Sequence, residues 1–436
     1  MSPITQSQQS GRAGTAASGL GGRVRSLRVA LERPLATYYL LLGSAGMLLG
    51  LGLIMVLSAS SVYSYTNYHN SYHVFLKQLT WVTMALPVAF IATRIPTRVL
   101  RRLAWVAVVG SMVLIALTQT SLGMTVNGNR NWLSLGPMSL QPSEIAKLSI
   151  VLWAADVYGR KEKLLGSWQH AVFPVVPVMM MIVALVVFGG DLGTALVLFA
   201  ILIGLLWIVG LPARLFVISF ALVGVVAFYL AATSSHRLTR LQTFTDPFAY
   251  FHGAGWQAAH GLIGMASGGI LGKGLGASQQ KWGNLPEAHT DFIFAVIGEE
   301  LGLVGTLLVL TLFAVFAWSA IRLAMQTHDP FVRYVCFGST IWLMSQMAIN
   351  IGMVLALLPV IGIPLPFVSY GGSALLPSLL AVGLMVGFAR REPEAAAALR
   401  DRRRARISAR SGGRRGDSGI NAALSGRTTG RQVTRR

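Results

Sequence analysis

The segment ATYYLLLGSAGMLLGLGLIMVLS (residues 36–58) is 23 residues long and carries no charged side chain. A helix of this length can cross the hydrocarbon core of a bilayer, which takes about 20 apolar residues. Similar segments recur along the 436-residue chain, which is 54% hydrophobic and only 12% charged. A soluble domain would carry about 25% charged residues. The composition therefore predicts an all-α polytopic membrane protein and excludes a soluble enzyme with a single anchor.

The distribution of positive charge predicts how the chain crosses the membrane. Ten membrane helices are expected, at residues 36–58, 74–93, 103–118, 142–158, 171–188, 192–209, 215–233, 291–321, 334–358 and 373–389. Of the 36 Lys and Arg residues, 29 lie in the termini and in the connections on one side. That side is cytoplasmic by the positive-inside rule, and both termini lie there. The connections 119–141 and 234–290 (the large loop between helices 7 and 8) then lie on the outer face.

The sequence predicts a membrane domain at residues 36–391 with a tail at each end. Residues 1–35 are rich in Ser, Gly, Gln and Arg, and residues 392–436 are rich in Arg, so both are expected to be disordered, basic and cytoplasmic. The C-terminal charge suits anionic membrane lipid or docking to other proteins. Nucleic acid is not predicted as a partner, because no nucleic-acid-binding motif accompanies the charge. The chain has one cysteine, Cys336, so an intrachain disulfide is excluded.

The outer connection 119–141 leads into the motif QPSEIAK (141–147). Pro142 suits the first turn of a helix, and Glu144 and Lys147 share one helix face three residues apart. Charges at the outer end of a membrane helix tend to be paired and functional. The pair therefore either orients the helix or gives Lys147 a role in a site, where it would meet a phosphate or hold a carboxylate.

Two other outer segments have two interpretations each. Asp191 in FGGDLGTAL (188–196) is either the cap of the following helix or a site residue. The segment LPVIGIPLPFVSYGGSALLPS (358–378) is either a packing turn or the edge of a binding site. Its candidate groups are hydroxyls and glycines that permit close backbone approach: Ser369, Tyr370, Gly371, Gly372 and Ser373.

The stretch QKWGNLPEAHTDFIFAVIGEELG (280–302) concentrates charge in front of an apolar helix. Asp291 is predicted to lie at the mouth of this helix, where a carboxylate could act as a general base towards a water-side substrate. Glu299 and Glu300 follow about 12 Å further along the helix. We expect these two to pair with groups on neighbouring helices instead of forming one cluster with Asp291.

Together the outer motifs resemble the SEDS family (shape, elongation, division, sporulation) over roughly residues 36–391. The motifs that carry the resemblance are NGNRNW (127–132), QPSEIAK (141–147), DLGTA (191–195), GLGASQQKWGNLPEAHTDFIFAVIGEELG (274–302) and PFVSYGGSALL (366–376). IGEELG and PFVSYGGS are more similar to the cell-division branch of the family than to its elongation branch. One departure is Asn131, which stands where relatives often have a second basic residue.

The resemblance implies a ten-helix peptidoglycan glycosyltransferase that polymerises lipid II onto the nascent glycan strand. The reaction would occur on the outer face of the plasma membrane, at the division septum, beside a class B penicillin-binding protein. Further division proteins would bind through the basic tails. The resemblance places the catalytic acid at Asp291 and a functional acid and base at Glu144 and Lys147. The substrate contacts that we predict within these motifs are Asn127, Arg130, Trp132, Gln141, Glu287, His289, Ser369, Tyr370, Gly371, Gly372 and Ser373.

The reaction implied by this resemblance needs a base for the attacking sugar hydroxyl and positive charge for the departing diphosphate. Asp291 is the candidate base, and Lys147 and Arg130 are the candidate diphosphate partners. A divalent cation, Mg²⁺ or Mn²⁺, is a candidate cofactor that the sequence does not identify. Two other functions are compatible with the sequence: a lipid II flippase, and a non-catalytic scaffold of the division machinery.

Overall fold

A computed structural model of the protein describes residues 33–126, 129–136, 138–214, 216–218, 221, 224–225, 246–402 and 404. Residues 37–388 form one compact unit, which contains all the sites discussed below. The helices are α1 (Ala36–Tyr68), α2 (His73–Ala92), α3 (Thr97–Leu117), α4 (Pro142–Lys161), α5 (Trp168–Val172), α6 (Val175–Phe188), α7 (Leu192–Ile208), α8 (Trp256–Gly268), α9 (Ile293–Gln326), α10 (Pro330–Val354) and α11 (Gly372–Arg391).

The helices confirm a multi-pass membrane protein. Six helical segments of the described chain are long and apolar enough to span a membrane: α1, α2, α3, the pair α5–α6, α9 and α11. Nine of the ten predicted segments coincide with helices, and the tenth, 215–233, lies mostly outside the described residues. The count of ten and the orientation of the termini stay predictions.

The all-α prediction missed a small antiparallel sheet between α3 and α4. Its strands are β1 (Gly123–Val126), β2 (Asn129–Leu135) and β3 (Met138–Leu140), in the order β1-β2-β3. Gly123 pairs with Leu133, and Leu133 pairs with Leu140. The sequence carried a signal for this sheet, because Asn-Gly at 127–128 between two short segments is a strong hairpin indicator. The connection 119–141 is therefore a structured platform in front of α4.

Helix α4 lies at the centre of the bundle. Every residue from Ala146 to Tyr158 is buried, so the helix has no face towards lipid or water over that length. It packs against α3, α6, α7 and α10, and α10 in turn packs against α7 and α9. A helix enclosed on all sides is typical of the core of a large helical protein. Charged residues near its start are consequently held inside protein.

Helix α9 is broken at Gly302, where the backbone has φ 67° and ψ −160°. This φ is strained for any residue with a side chain. A Cβ at this position would also lie 2.6 Å from the carbonyl oxygen of Ile270. Glycine is therefore required at position 302 for two reasons. It tolerates the positive φ, and it leaves room for the segment that follows α8.

The prediction that the whole C-terminal tail is disordered is wrong for its first part. Residues 393–402 are helical, whereas residues 405–436 lie outside the described chain. The reason is local, because 394–400 reads EAAAALR and Ala, Leu, Glu and Arg are the strongest helix formers.

Candidate active site

Asp191 caps α7 and also holds the platform in place. Its Oδ1 accepts a hydrogen bond from the backbone N–H of Thr194 at 2.9 Å. Its Oδ2 accepts from Asn131 Nδ2 at 3.1 Å and from Gln141 Nε2 at 2.8 Å. The predicted cap is present, and the same carboxylate joins β2 to the residue before α4. Gln141, a predicted substrate contact, is thus engaged with Asp191.

Replacing Asp191 by Ala is expected to lower the free energy of unfolding by about 2 kcal/mol. This value is the upper end of the range for a lost N-cap, because two further amide donors lose their acceptor as well. Thermal unfolding in detergent would measure the change. Asp191→Asn is the matched control, since Asn caps helices about as well as Asp. Equal losses in both variants would contradict the capping role.

The platform presents Arg130 at the surface. The residue is exposed, its Nη2 donates to the carbonyl oxygen of Thr120 at 2.8 Å, and its backbone N–H donates to Gly189 at 3.0 Å. Trp132 is half-buried on the same strand. Asn127, another predicted substrate contact, lies outside the described residues. The position of Arg130 permits contact with a water-side anion.

Glu144 and Lys147 form a buried ion pair. Lys147 Nζ lies 2.7 Å from Glu144 Oε1, with side chains 1% and 4% exposed. The same Nζ donates to Gln346 Oε1 at 3.0 Å on α10 and lies 5.6 Å from the ring centroid of Trp342. Glu144 Oε2 has no hydrogen-bond partner among the described residues. In this conformation Lys147 contacts protein groups and does not reach a water-side diphosphate.

Two amides on α10 connect this pair to Asp291. Gln346 Nε2 donates to the carbonyl oxygen of Pro364 at 3.0 Å. One turn later, Asn350 Nδ2 donates to the carbonyl oxygens of Ile363 at 2.7 Å and Asp291 at 2.8 Å. The backbone at 363–364 is therefore fixed to α10 by two consecutive bonds, and residue 291 shares one of these donors.

The side chain of Asp291 lies partly exposed just before α9, as the sequence predicts for the mouth of that helix. A Cβ at Gly362 would lie 3.3 Å from Asp291 Oδ2, so the carboxylate lies against this glycine, whose φ is 80°. A Cβ at Gly193, in the first turn of α7, would lie 3.0 Å from Ile361 on the same segment. The segment 361–364 thus brings the starts of α7 and α9 and the Glu144–Lys147 network together.

The ring of His289 packs against two tyrosine rings, each tilted relative to it. Its ring centroid lies 5.0 Å from that of Tyr63 and 5.6 Å from that of Tyr370. Tyr63 reaches this place because α1 continues to residue 68, ten residues past its predicted end. Burial lowers the pKa of His289 below its ordinary value, although the charge of Glu287 opposes this shift. The ring is therefore neutral at pH 7.

Stability is expected to fall as the pH drops below about 6.5 because of His289. The unfolded chain takes up a proton near the ordinary pKa of 6.5, whereas the folded chain takes it up only at lower pH. Between these two values the unfolded state binds more protons, so stability rises with pH. Melting temperatures of wild type and His289→Gln between about pH 5 and 7.5 would test this. A decline of the same size in both proteins would contradict the assignment.

The segment before α11 is bonded to the segment before α9. Ser369 Oγ donates to the carbonyl oxygen of Thr290 at 2.6 Å and accepts from the backbone N–H of Leu365 at 2.8 Å. The backbone N–H of Tyr370 donates to the carbonyl oxygen of His289 at 3.0 Å. These bonds support the interpretation of a packing turn and fix the backbone of the two residues before Asp291.

The glycines and Ser373 of this turn also serve packing. The backbone N–H of Gly371 donates to Gln78 Oε1 at 3.3 Å. Gly372 lies directly against the indole of Trp81, leaving no room for a Cβ, and Ser373 is buried. The predicted contacts of these residues with substrate are not visible in this arrangement and stay predictions.

Glu299 and Glu300 lie outside this network and bind a separate glycine-rich segment, residues 268–283, which we name the clamped loop. Glu299 Oε1 accepts from Lys273 Nζ at 2.9 Å. Glu300 Oε1 accepts from Ser58 Oγ on α1 at 2.6 Å. The expected partner on a neighbouring helix is found for Glu300, whereas Glu299 is held mainly by the clamped loop.

Sequence reasoning missed Gln346 and Asn350, which position the backbone around Asp291. A signal was present, because polar side chains within an apolar membrane helix are costly and tend to be functional. Two amides spaced four residues apart on one face of α10 fit this rule. Gln78 on α2 is a third buried amide that the motifs did not indicate.

The described residues contain no group of three or more His, Cys, Asp or Glu side chains placed to hold a metal ion. A Mg²⁺ ion that bridges substrate phosphates commonly takes one or two carboxylates from the protein. Asp291, partly exposed and lying against Gly362, fits such a role as a single ligand. The candidate divalent cation therefore stays a proposal.

These features define a class: a multi-pass helical membrane protein whose polar residues converge at the starts of α4, α7 and α9. The model of the cell cycle protein family that groups FtsW, RodA and SpoVE matches residues 39–393. The chain belongs to this family, which confirms the resemblance found in the motifs.

Relatives and solved structures agree with this membership. The probable peptidoglycan glycosyltransferase FtsW of Mycobacterium tuberculosis is 40% identical over 371 residues, covering 85% of this chain and 71% of that protein. Stage V sporulation protein E of Bacillus subtilis is 34% identical over 348 residues, covering 79% and 94%. A peptidoglycan synthase complex matches with a TM-score of 0.65 at 26% identity, covering 81% of this chain and 97% of the other. RodA of Thermus thermophilus matches with a TM-score of 0.59 at 27% identity, covering 81% and 97%.

Proposed function

We propose that the protein is a peptidoglycan polymerase that transfers glycosyl units from lipid II to the growing glycan strand during cell division. The relatives named FtsW support the activity and its connection with division. The observation that carries the proposal in the structure is Asp291: a partly exposed carboxylate at the start of α9, on backbone held by Asn350. The reaction takes place on the predicted outer face of the plasma membrane, at the septum.

In this mechanism a sugar hydroxyl attacks an anomeric carbon that carries a lipid diphosphate. Asp291 takes the hydroxyl proton as general base, and the bond to the diphosphate breaks as the new glycosidic bond forms. A direct displacement needs one base and no covalent intermediate. Rigid backbone around Asp291 keeps the carboxylate aligned with the hydroxyl, which lowers the entropic cost of reaction.

The positive groups have different parts in this proposal. Arg130 is exposed and could contact the diphosphate directly. Lys147 is buried, so we assign Lys147 and Glu144 a positioning role through Gln346 and the backbone at 363–364. If a divalent cation is bound, one oxygen of the Asp291 carboxylate would hold it while the other takes the proton, and the ion would supply positive charge for the departing diphosphate.

A class B penicillin-binding protein is the proposed partner. The matching synthase complex is described as coordinating polymerisation and crosslinking, which supports this pairing. The basic tails would contact anionic lipid and other division proteins.

The test uses the purified full chain in liposomes, with lipid II and a partner whose transpeptidase site is inactivated. Glycan strands on a gel are the expected result. Movement of lipid II across sealed liposomes without strand formation would replace the proposal with a flippase. Neither strands nor movement, with the partner bound, would favour a scaffold.

A further inference from the structure

The clamped loop buries three polar side chains and exposes its large apolar ones, and Lys273 and Gln279 are exposed as well. Ser278, Gln280 and Lys281 are buried. Its large apolar side chains are exposed: Ile270 (68%), Leu271 (81%), Leu275 (61%) and Trp282 (71%). A loop in water would have the opposite distribution, because charged residues are seldom buried and large apolar residues usually are. The surface of the clamped loop therefore suits apolar surroundings.

The buried side chains of Ser278 and Lys281 contact the two buried carboxylates of α9, whereas the buried Gln280 Oε1 has no hydrogen-bond partner among the described residues. Glu299 accepts from Ser278 Oγ at 2.6 Å and from the backbone N–H of Gln279 at 3.0 Å. Lys281 Nζ lies 3.6 Å from Glu300 Oε1 and donates to the carbonyl oxygen of Gly276 at 2.6 Å. Irregular backbone at membrane depth requires such internal partners, since lipid offers none. These internal bonds suit a position of the clamped loop outside water.

The loop is also continuous with the membrane-facing surface of α9. The break at Gly302 frees backbone donors, and the N–H groups of Leu303 and Val304 donate to Gly269 at 2.9 Å and Ile270 at 3.2 Å. Leu303 and Val304 are 52% and 54% exposed on a helix long enough to span the membrane. Ile270 therefore lies at the same level as side chains that face lipid.

We propose that the clamped loop is inserted into the membrane leaflet on the outer face. Ile270, Leu271 and Leu275 lie among lipid acyl chains, and Trp282 lies at the headgroup level, where Trp is enriched. Exposed apolar patches also mark protein interfaces. The continuity with α9 and the burial of Ser278, Gln280 and Lys281 favour lipid as the occupant. The inference is independent of the proposed enzymatic activity.

Spin labelling of the full chain in phosphatidylcholine–phosphatidylglycerol vesicles tests this insertion. The buried Cys336 would be replaced by Ala, and a nitroxide would be attached in Leu271→Cys. Leu307→Cys on the exposed face of α9 is the lipid reference, and Asn284→Cys in the exposed outer segment is the water reference. Collision rates with oxygen and with a nickel chelate report lipid and water, respectively.

We expect the oxygen-to-nickel ratio at Leu271→Cys to match that at Leu307→Cys and to exceed that at Asn284→Cys several-fold. A ratio equal to that of Asn284→Cys would place the loop in water and overturn the proposal. If collision rates with both probes fell only when the penicillin-binding protein was added, the exposed apolar surface of the clamped loop would be a binding surface for that protein. Leu275→Cys provides a second site, so one perturbing label does not decide the outcome. No glycosyl transfer is needed for this readout.

Discussion

Asp291→Asn is expected to slow glycan-strand formation by about 10²–10⁴-fold, the range that general acid–base catalysis contributes. Asn has nearly the same shape as Asp but cannot take the hydroxyl proton. The backbone carbonyl of residue 291 keeps its bond from Asn350 Nδ2, at 2.8 Å in the wild type, so the fold is expected to persist. A time course of strand formation from lipid II, with equal amounts of protein, measures the change.

Asp246→Asn is the matched control for this substitution. Asp246 is exposed and accepts hydrogen bonds from the backbone N–H groups of Phe248 and Ala249, so it supports only a local turn. The variant should keep the wild-type rate. If Asp291→Asn polymerised lipid II as fast as this control, Asp291 would not be the base. An unchanged melting temperature in Asp291→Asn separates a loss of chemistry from a loss of fold.

Features encoded by neighbouring residues were predictable from the sequence. Predominantly apolar segments of spanning length became helices, because length and composition decide whether a segment suits the bilayer. The cap at Asp191 followed from its place before an apolar helix. The position of Asp291 at the mouth of α9 followed in the same way, from polar residues ending where the apolar run begins.

Features that depend on distant residues were not predictable. Gln346, which holds Lys147, is 199 residues away along the chain, and no local pattern joins the two. The enclosure of α4 on all sides results from how four other helices pack around it. Its first turn reads as the polar mouth of a membrane helix, yet Glu144 and Lys147 are buried there. The polarity of the connection 119–141 does not indicate the small sheet, and only the Asn-Gly pair at 127–128 does.

Lys147→Met is expected to lower the free energy of unfolding by about 3–5 kcal/mol, because it leaves the Glu144 carboxylate buried without its counter-charge. Met has a similar length, so the loss reports charge more than volume. Replacing both residues in Glu144→Met/Lys147→Met should restore most of the stability, since buried ion pairs can often be exchanged for apolar side chains of similar volume. Thermal unfolding of the two single variants and the double variant would complete a mutant cycle.

Glycan-strand formation by the double variant then distinguishes a positioning role of the Glu144–Lys147 pair in the reaction from a purely structural role. In the wild type, Lys147 Nζ and Trp342 Nε1 both donate to Gln346 Oε1 at 3.0 Å, and Gln346 holds the carbonyl of Pro364. The apolar double variant keeps the Trp342 donor but loses the charge that fixes Gln346 at the backbone beside Asp291. We therefore expect the double variant to be stable and to bind lipid II as the wild type does. Its rate of glycan-strand formation should stay below that of the wild type. If the double variant recovered both the stability and the turnover of the wild type, the Glu144–Lys147 pair would have only a structural role in α4.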